Sequence, residues 1–90
     1  MVQTVNIPIQ MISCCSTIGD FTPMKFRYET EDHKILTINI SEILSRKETG
    51  LSGNKEIRFT CAADIEEETK MFILVYNIGS HRWKLFQMLT

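Results

Sequence analysis

The stretch that most constrains the fold is the C-terminal pair of apolar runs, KMFILVYN and HRWKLFQML, separated only by Ile78-Gly79-Ser80. Two such runs around a glycine read as a β-hairpin. A two-residue loop with Gly at its first central position suits a type II′ turn, and Gly79-Ser80 meets that requirement. Counting outward from it sets Tyr76 opposite Trp83, Leu74 opposite Leu85 and Phe72 opposite Gln87 on one face. The other face receives Asn77 against Arg82, Val75 against Lys84, Ile73 against Phe86 and Met71 against Met88. A slip of one residue would exchange the two faces, so the pattern fixes which side chains are predicted inside.

The Tyr-Trp-Leu-Phe face is expected to be the core, each large side chain contributing about 1.5–3 kcal/mol on burial. Met71 to Tyr76 is apolar on both phases, as central strands with cover on each side are. An isolated hairpin is only marginally stable, so the remaining chain must supply that cover.

The chain before the hairpin alternates with a period of two. Val5, Ile7, Ile9 and Met11 define a first strand, with Pro8 on its polar phase predicting an edge there or a late start to the strand. Thr17-Ile18-Gly19-Asp20 reads as a turn. Met24, Phe26 and Tyr28 face inward on a second strand, and Leu36, Ile38 and Ile40 on a third. A three-residue loop Glu31-Asp32-His33 brings Tyr28 to Leu36, Phe26 to Ile38 and Met24 to Ile40 together, although His then occupies a left-handed position where Gly is usual.

The phase changes after Ile40, which predicts a bulge or bend near Ser41-Glu42, with a short helical turn over 41–46 as the alternative. Arg46 to Lys55 reads as the longest loop. Ile57, Phe59, Cys61, Ala63 and Ile65 face inward on a fourth strand. A loop Glu66-Glu67-Glu68-Thr69 would then set Ile65 opposite Lys70, Ala63 opposite Phe72 and Phe59 opposite Tyr76. Together these give one all-β domain over residues 1–90: about six antiparallel strands in consecutive hairpins, forming a small barrel or a compact sandwich.

Composition narrows the function classes. Ninety residues support one modest core. A net charge of −1 argues against a polyanion-coating role but permits a local basic patch. The first twenty residues contain no Lys or Arg and alternate, so neither a signal peptide nor a membrane span is expected. Three cysteines, Cys14 and Cys15 adjacent, make no disulfide framework and fit a reducing, cytoplasmic setting.

Two surfaces stand out. Outward registers gather Arg58, Arg82 and Lys84 near the Gly79 turn, with Arg58 opposite Asn77 and Asn77 opposite Arg82. Such a patch could meet phosphates, making a nucleic-acid contact the alternative reading. The plainer account is that surface strands carry Lys and Arg for solubility. Trp83 and Tyr76 point inward, so this face lacks the stacking platform of single-strand binders. Met71, Ile73, Phe86 and Met88 form an apolar outward patch that calls for a protein partner, self-association or cover from the chain's own N-terminal strand or long loop.

No catalytic or metal grouping emerges. Cys14, Cys15, Cys61, His33 and His81 have no zinc spacing, the carboxylates fall in turns, and no glycine-rich phosphate loop occurs. No cofactor and no enzymatic activity are expected. The segments FTPMKFRYE, KETGLSGNKEIRFTC and Tyr76 with HRWKL together resemble small single-domain bacterial β proteins of uncharacterised activity. That resemblance is structural and implies no site residues.

Overall fold

The computed structural model describes residues 3–19, 21–30, 32–50 and 55–89, with Phe21 described by its backbone alone. Seven strands follow one another: β1 (Gln3–Cys15), β2 (Phe21–Glu29), β3 (Ile35–Asn39), β4 (Glu42–Thr49), β5 (Glu56–Ile65), β6 (Glu68–Asn77) and β7 (Arg82–Met88). All ladders are antiparallel and form one curled sheet, a half-barrel, in the order β3-β2-β1-β7-β6-β5-β4. The expected six strands are seven, because the first part of the presumed Arg46–Lys55 loop belongs to β4. Of its remainder, 51–54 lie outside the described residues, as do Asp20 and Glu31 of the two expected turns.

The sheet curls because two stretches of chain change partners midway. β1 pairs with β7 up to Ile9–Trp83 and with β2 from Gln10–Arg27 onward. The β1–β2 ladder stops two residues short of Pro8, which has no N–H to extend it. At the opposite side, β3 pairs with β2 and β4 with β5, and only Ile40-Ser41 separates them. Ile40 N–H donates to the Met24 carbonyl and Ser41 N–H to the Ala62 carbonyl, each at 2.9 Å, so the chain steps from one edge of the sheet to the other in two residues. Strands that bend between ladders make the corners of such folds.

The curl encloses Phe26, Ile38, Ile57, Phe59, Cys61, Ala63, Phe72, Leu74, Tyr76 and Leu85. Phe26 on the far side of the curl meets Phe72 edge-on at 5.5 Å, and Phe59 meets Trp83 at 5.5 Å. Phe26, Phe59 and Phe72 are at most 1% exposed. β6 is the central strand its composition implied: Val75, on the outer face, is also 1% exposed.

The inward–outward pattern holds where ladders are regular and breaks at bulges. Tyr76–Trp83, Leu74–Leu85, Val75–Lys84 and Asn77–Arg82 pair as expected. Between Ile73 and Leu74 the register then shifts, so Ile73 pairs with Gln87 and Phe72 with Met88. Phe86 is the extra residue, and it reverses the phase of everything after it. Gln87, expected inside, turns out toward Thr4, to whose Oγ1 its Nε2 donates. Met88, expected outside, packs on the core. Met24 is likewise 50% exposed, because it is skipped between Ile12–Lys25 and Ser13–Pro23, and Pro23 is buried in its stead.

Turn chemistry differs from expectation at two of the three hairpins whose loops the sequence defined. His33 is left-handed with φ 63°, and Tyr28–Leu36 and Phe26–Ile38 pair as the three-residue loop requires. At the last hairpin Gly79 is not left-handed. His81 is, at φ 57°, and the loop comprises the four residues 78–81, with Asn77 Oδ1 accepting from Ser80 N–H at 2.9 Å. The four-residue loop expected at 66–69 is the two-residue turn Glu66-Glu67, closed by Ile65–Glu68. Both glutamates have positive φ, 52° and 68°, as a type I′ turn demands. Thr69 thereby enters β6, where its Oγ1 donates to Asp64 at 2.8 Å, and the β5–β6 register slides by two residues, leaving faces unchanged.

Glutamate is a poor residue for left-handed backbone, and Asn-Gly is the preferred pair for this turn. Replacing Glu66-Glu67 with Asn-Gly is expected to stabilise the fold by about 1 kcal/mol. In thermal unfolding this raises the midpoint by about 4–8 °C. An unchanged or lowered midpoint would contradict the two-residue turn.

Candidate functional site

Strand alternation determines what the outer face of β5, β6 and β7 presents. With Phe59, Cys61, Phe72, Leu74 and Leu85 inside, the intervening Arg58, Thr60, Met71, Ile73, Val75 and Lys84 lie outside. The two-residue slide at Glu66-Glu67 places Arg58 opposite Val75, and Val75 opposite Lys84. Arg82 lies one row closer to the 78–81 turn, in line with Asn77 and Glu56. The three basic residues therefore share a face, but the expected row Arg58–Asn77–Arg82 does not form.

Arg58 and Lys84 flank Val75 and converge on Phe86. The Arg58 guanidinium lies 4.8 Å and the Lys84 ammonium 5.5 Å from the Phe86 ring centre. The bulge places that ring there. Laid across the sheet in this way, the two stems cover Val75 while their charges stay near the surface. A cation over a ring face gains about 0.5–1 kcal/mol where solvent reaches it. Arg58 Nε is buried without a hydrogen-bond partner, so the stacked arrangement carries a desolvation cost of about 1–3 kcal/mol.

Of the four expected interface residues, Met71, Ile73 and Phe86 are half-buried on this outer face, whereas Met88 belongs to the core. The N-terminal strand does not lie over them: β1 pairs edge-on with β7, extending the sheet. Sequence alternation alone could not separate Met88 from the other three, because it carries no signal for the bulge at Phe86.

The aromatic wall toward the turn is rigidly built. Tyr76 and Trp83 rings are 4.9 Å apart, and Tyr76 Oη shares a 3.0 Å hydrogen bond with His81 Nδ1. His33 pairs instead with Glu29 at 3.2 Å in the β2–β3 loop. Among the described residues no three His, Cys, Asp or Glu side chains gather as metal ligands would, and no helix is long and apolar enough to cross a membrane. The acidic Glu68 is engaged with Lys70 at 3.1 Å.

No family model, curated protein or solved structure matches the chain.

The cysteines divide sharply. Cys14 and Cys15 are exposed free thiols, and Cys61 is fully buried. Burial in the core pushes the Cys61 thiol from 9.0 up to about 12. A thiol reagent at pH 8 is expected to label Cys14 and Cys15 in the native protein and Cys61 only on unfolding. The folded state holds the Cys61 proton where the unfolded chain releases it, so this group's stabilisation is complete below pH 9 and is lost as pH rises toward 12. Equal labelling rates for all three thiols would contradict the placement of Cys61.

Proposed function

We propose that the chain is a non-enzymatic, cytoplasmic binding domain that engages another protein through the outer face of β6 and β7. The observation that carries this reading is the cluster Met71, Ile73 and Phe86 on the face away from the core, rimmed by Arg58 and Lys84 stacked on the Phe86 ring. Apolar surface with an aromatic–arginine centre is the composition of interface hot spots. Stacking holds the Arg58 stem in place, which lowers the ordering cost of binding.

The rim specifies the partner's character. Two cations beside an apolar centre fit a segment with apolar side chains and flanking carboxylates. A second copy of this chain fits less well, since a two-fold contact centred on Phe86 would set Arg58 and Lys84 near their own counterparts. Exposed free thiols at Cys14 and Cys15 suit a reducing compartment. Nucleic-acid binding through Arg58, Arg82 and Lys84 has less support: Glu56 shares the row of Arg82, and the one ring that Arg58 and Lys84 stack on, Phe86, is not the run of aromatic platforms that single-strand binders use.

Peptides selected from a random library against the folded domain are expected to combine apolar and acidic residues. Their affinity is expected to fall at least tenfold for the Ile73→Asp/Phe86→Ser variant, as light scattering shows a monomer throughout. Peptides indifferent to that variant would contradict the reading. A dimer dispersed by it would make the second copy the partner. A mobility shift of oligonucleotides at low salt, lost in Arg82→Ala/Lys84→Ala and steeply salt-dependent, would favour nucleic acid instead.

A further inference from the structure

The partner switch of β1 leaves a cleft beside the outer apolar stripe, sharing only Lys84 and the covered Val75 with it. β1 follows β7 only as far as Ile9–Trp83, then bends toward β2. The β6–β7 hairpin continues past this point to Asn77–Arg82 and the loop 78–81. Between the departing strand and the hairpin end is a cavity of about 750 Å³, open to solvent. Small-molecule sites span roughly 300–1,000 Å³ and combine apolar walls with a few converging polar groups.

The walls here have that division. Pro8, Ile9 and Met11 line one side, and Trp83 stands at the split. Trp83 is fixed between Tyr76 at 4.9 Å and Phe59 at 5.5 Å, so its ring is held before any ligand arrives. His81 closes the loop side and is itself held by Tyr76 Oη at 3.0 Å. Arg82 and Lys84 line the same cavity, against the single carboxylate of Glu56. Among the described residues neither cation forms an ion pair with a carboxylate. Past Ile9, β1 pairs only with β2, so its other edge is turned to this opening.

An excess of positive charge over carboxylate beside a rigid indole and aliphatic walls selects a ligand by charge and by body. A metal cation would be repelled. A neutral apolar molecule would fill the cleft while taking solvent from two cations without compensation. An anionic group on a flat apolar body satisfies both parts. We propose that the cleft between β1 and the β6–β7 turn is a binding site for a small organic anion with a ring-bearing apolar body, its charge at Arg82 and Lys84 and its body against Trp83, Ile9 and Met11.

Trp83 is the only tryptophan in the chain, so its emission reports on the site directly. The probe is 1-anilinonaphthalene-8-sulfonate, an aromatic sulfonate, added to the full chain. Saturable one-to-one binding by calorimetry is expected, with loss of Trp83 emission by energy transfer to the bound dye. Arg82→Gln/Lys84→Gln is expected to weaken binding at least tenfold while leaving the unfolding midpoint in place, because the glutamine stems keep the cover over Val75 and only the charges are removed. Ile73→Ser, on the outer stripe, is expected to leave binding unchanged. The neutral analogue N-phenyl-1-naphthylamine is expected to bind at least tenfold more weakly than the sulfonate. Absence of saturable binding, equal affinity for the neutral analogue, or a loss confined to Ile73→Ser would each overturn the assignment.

Discussion

The fold depends on two places where a continuous chain abandons one neighbour for another. β1 leaves β7 after Ile9, and the chain through Ile40-Ser41 leaves β2 for β5. Because these bends lie on opposite sides, a single sheet is forced to curl, and Phe26 is carried over to meet Phe72. A flat seven-stranded sheet of this sequence would leave the Phe59, Phe72 and Leu74 side chains in water. At roughly 1.5–3 kcal/mol for each buried side chain, the closure accounts for much of what a domain this small can gain.

The same bends, together with the Phe86 bulge, create the two surfaces of functional interest. Where β1 departs, the hairpin end is left with an open flank and the cleft beside Trp83 forms. Where β7 bulges, an aromatic ring is turned onto the outer face, and Arg58 and Lys84 gather on it. Neither surface follows from alternation alone. Each is a local departure from regular pairing, and such departures in strands commonly re-aim side chains at working surfaces.

Regular alternation made much of the core legible: Phe26, Ile38, Phe59, Cys61, Phe72, Leu74 and Leu85 are inside because they keep phase within their strands. Three things hid the rest. β4 is an edge strand largely exposed on both faces, so RKET shows no period. The extra residues Met24 and Phe86 are apolar like the inward positions of their strands and advertise nothing. Turn type was misjudged where the residues were atypical, since Glu66-Glu67 and His81 adopt backbone angles for which Gly or Asn is the usual signal, while Gly79 does not use its freedom. In the candidate site, the shared face of Arg58, Arg82 and Lys84 and the rows of Arg82 and Lys84 were legible, but the row of Arg58 was not, because the β5–β6 register depends on the Glu66-Glu67 turn.

The partner switch in β1 can be read directly from cross-strand nuclear Overhauser contacts in an isotopically labelled sample. Backbone protons of Ile7 and Ile9 should contact those of Leu85 and Trp83, whereas Met11 and Ile12 should contact Phe26 and Lys25. Contacts from Met11 and Ile12 to His81 and Ser80 in place of β2 would show β1 running straight along β7, and neither the curled sheet nor the cleft could then exist.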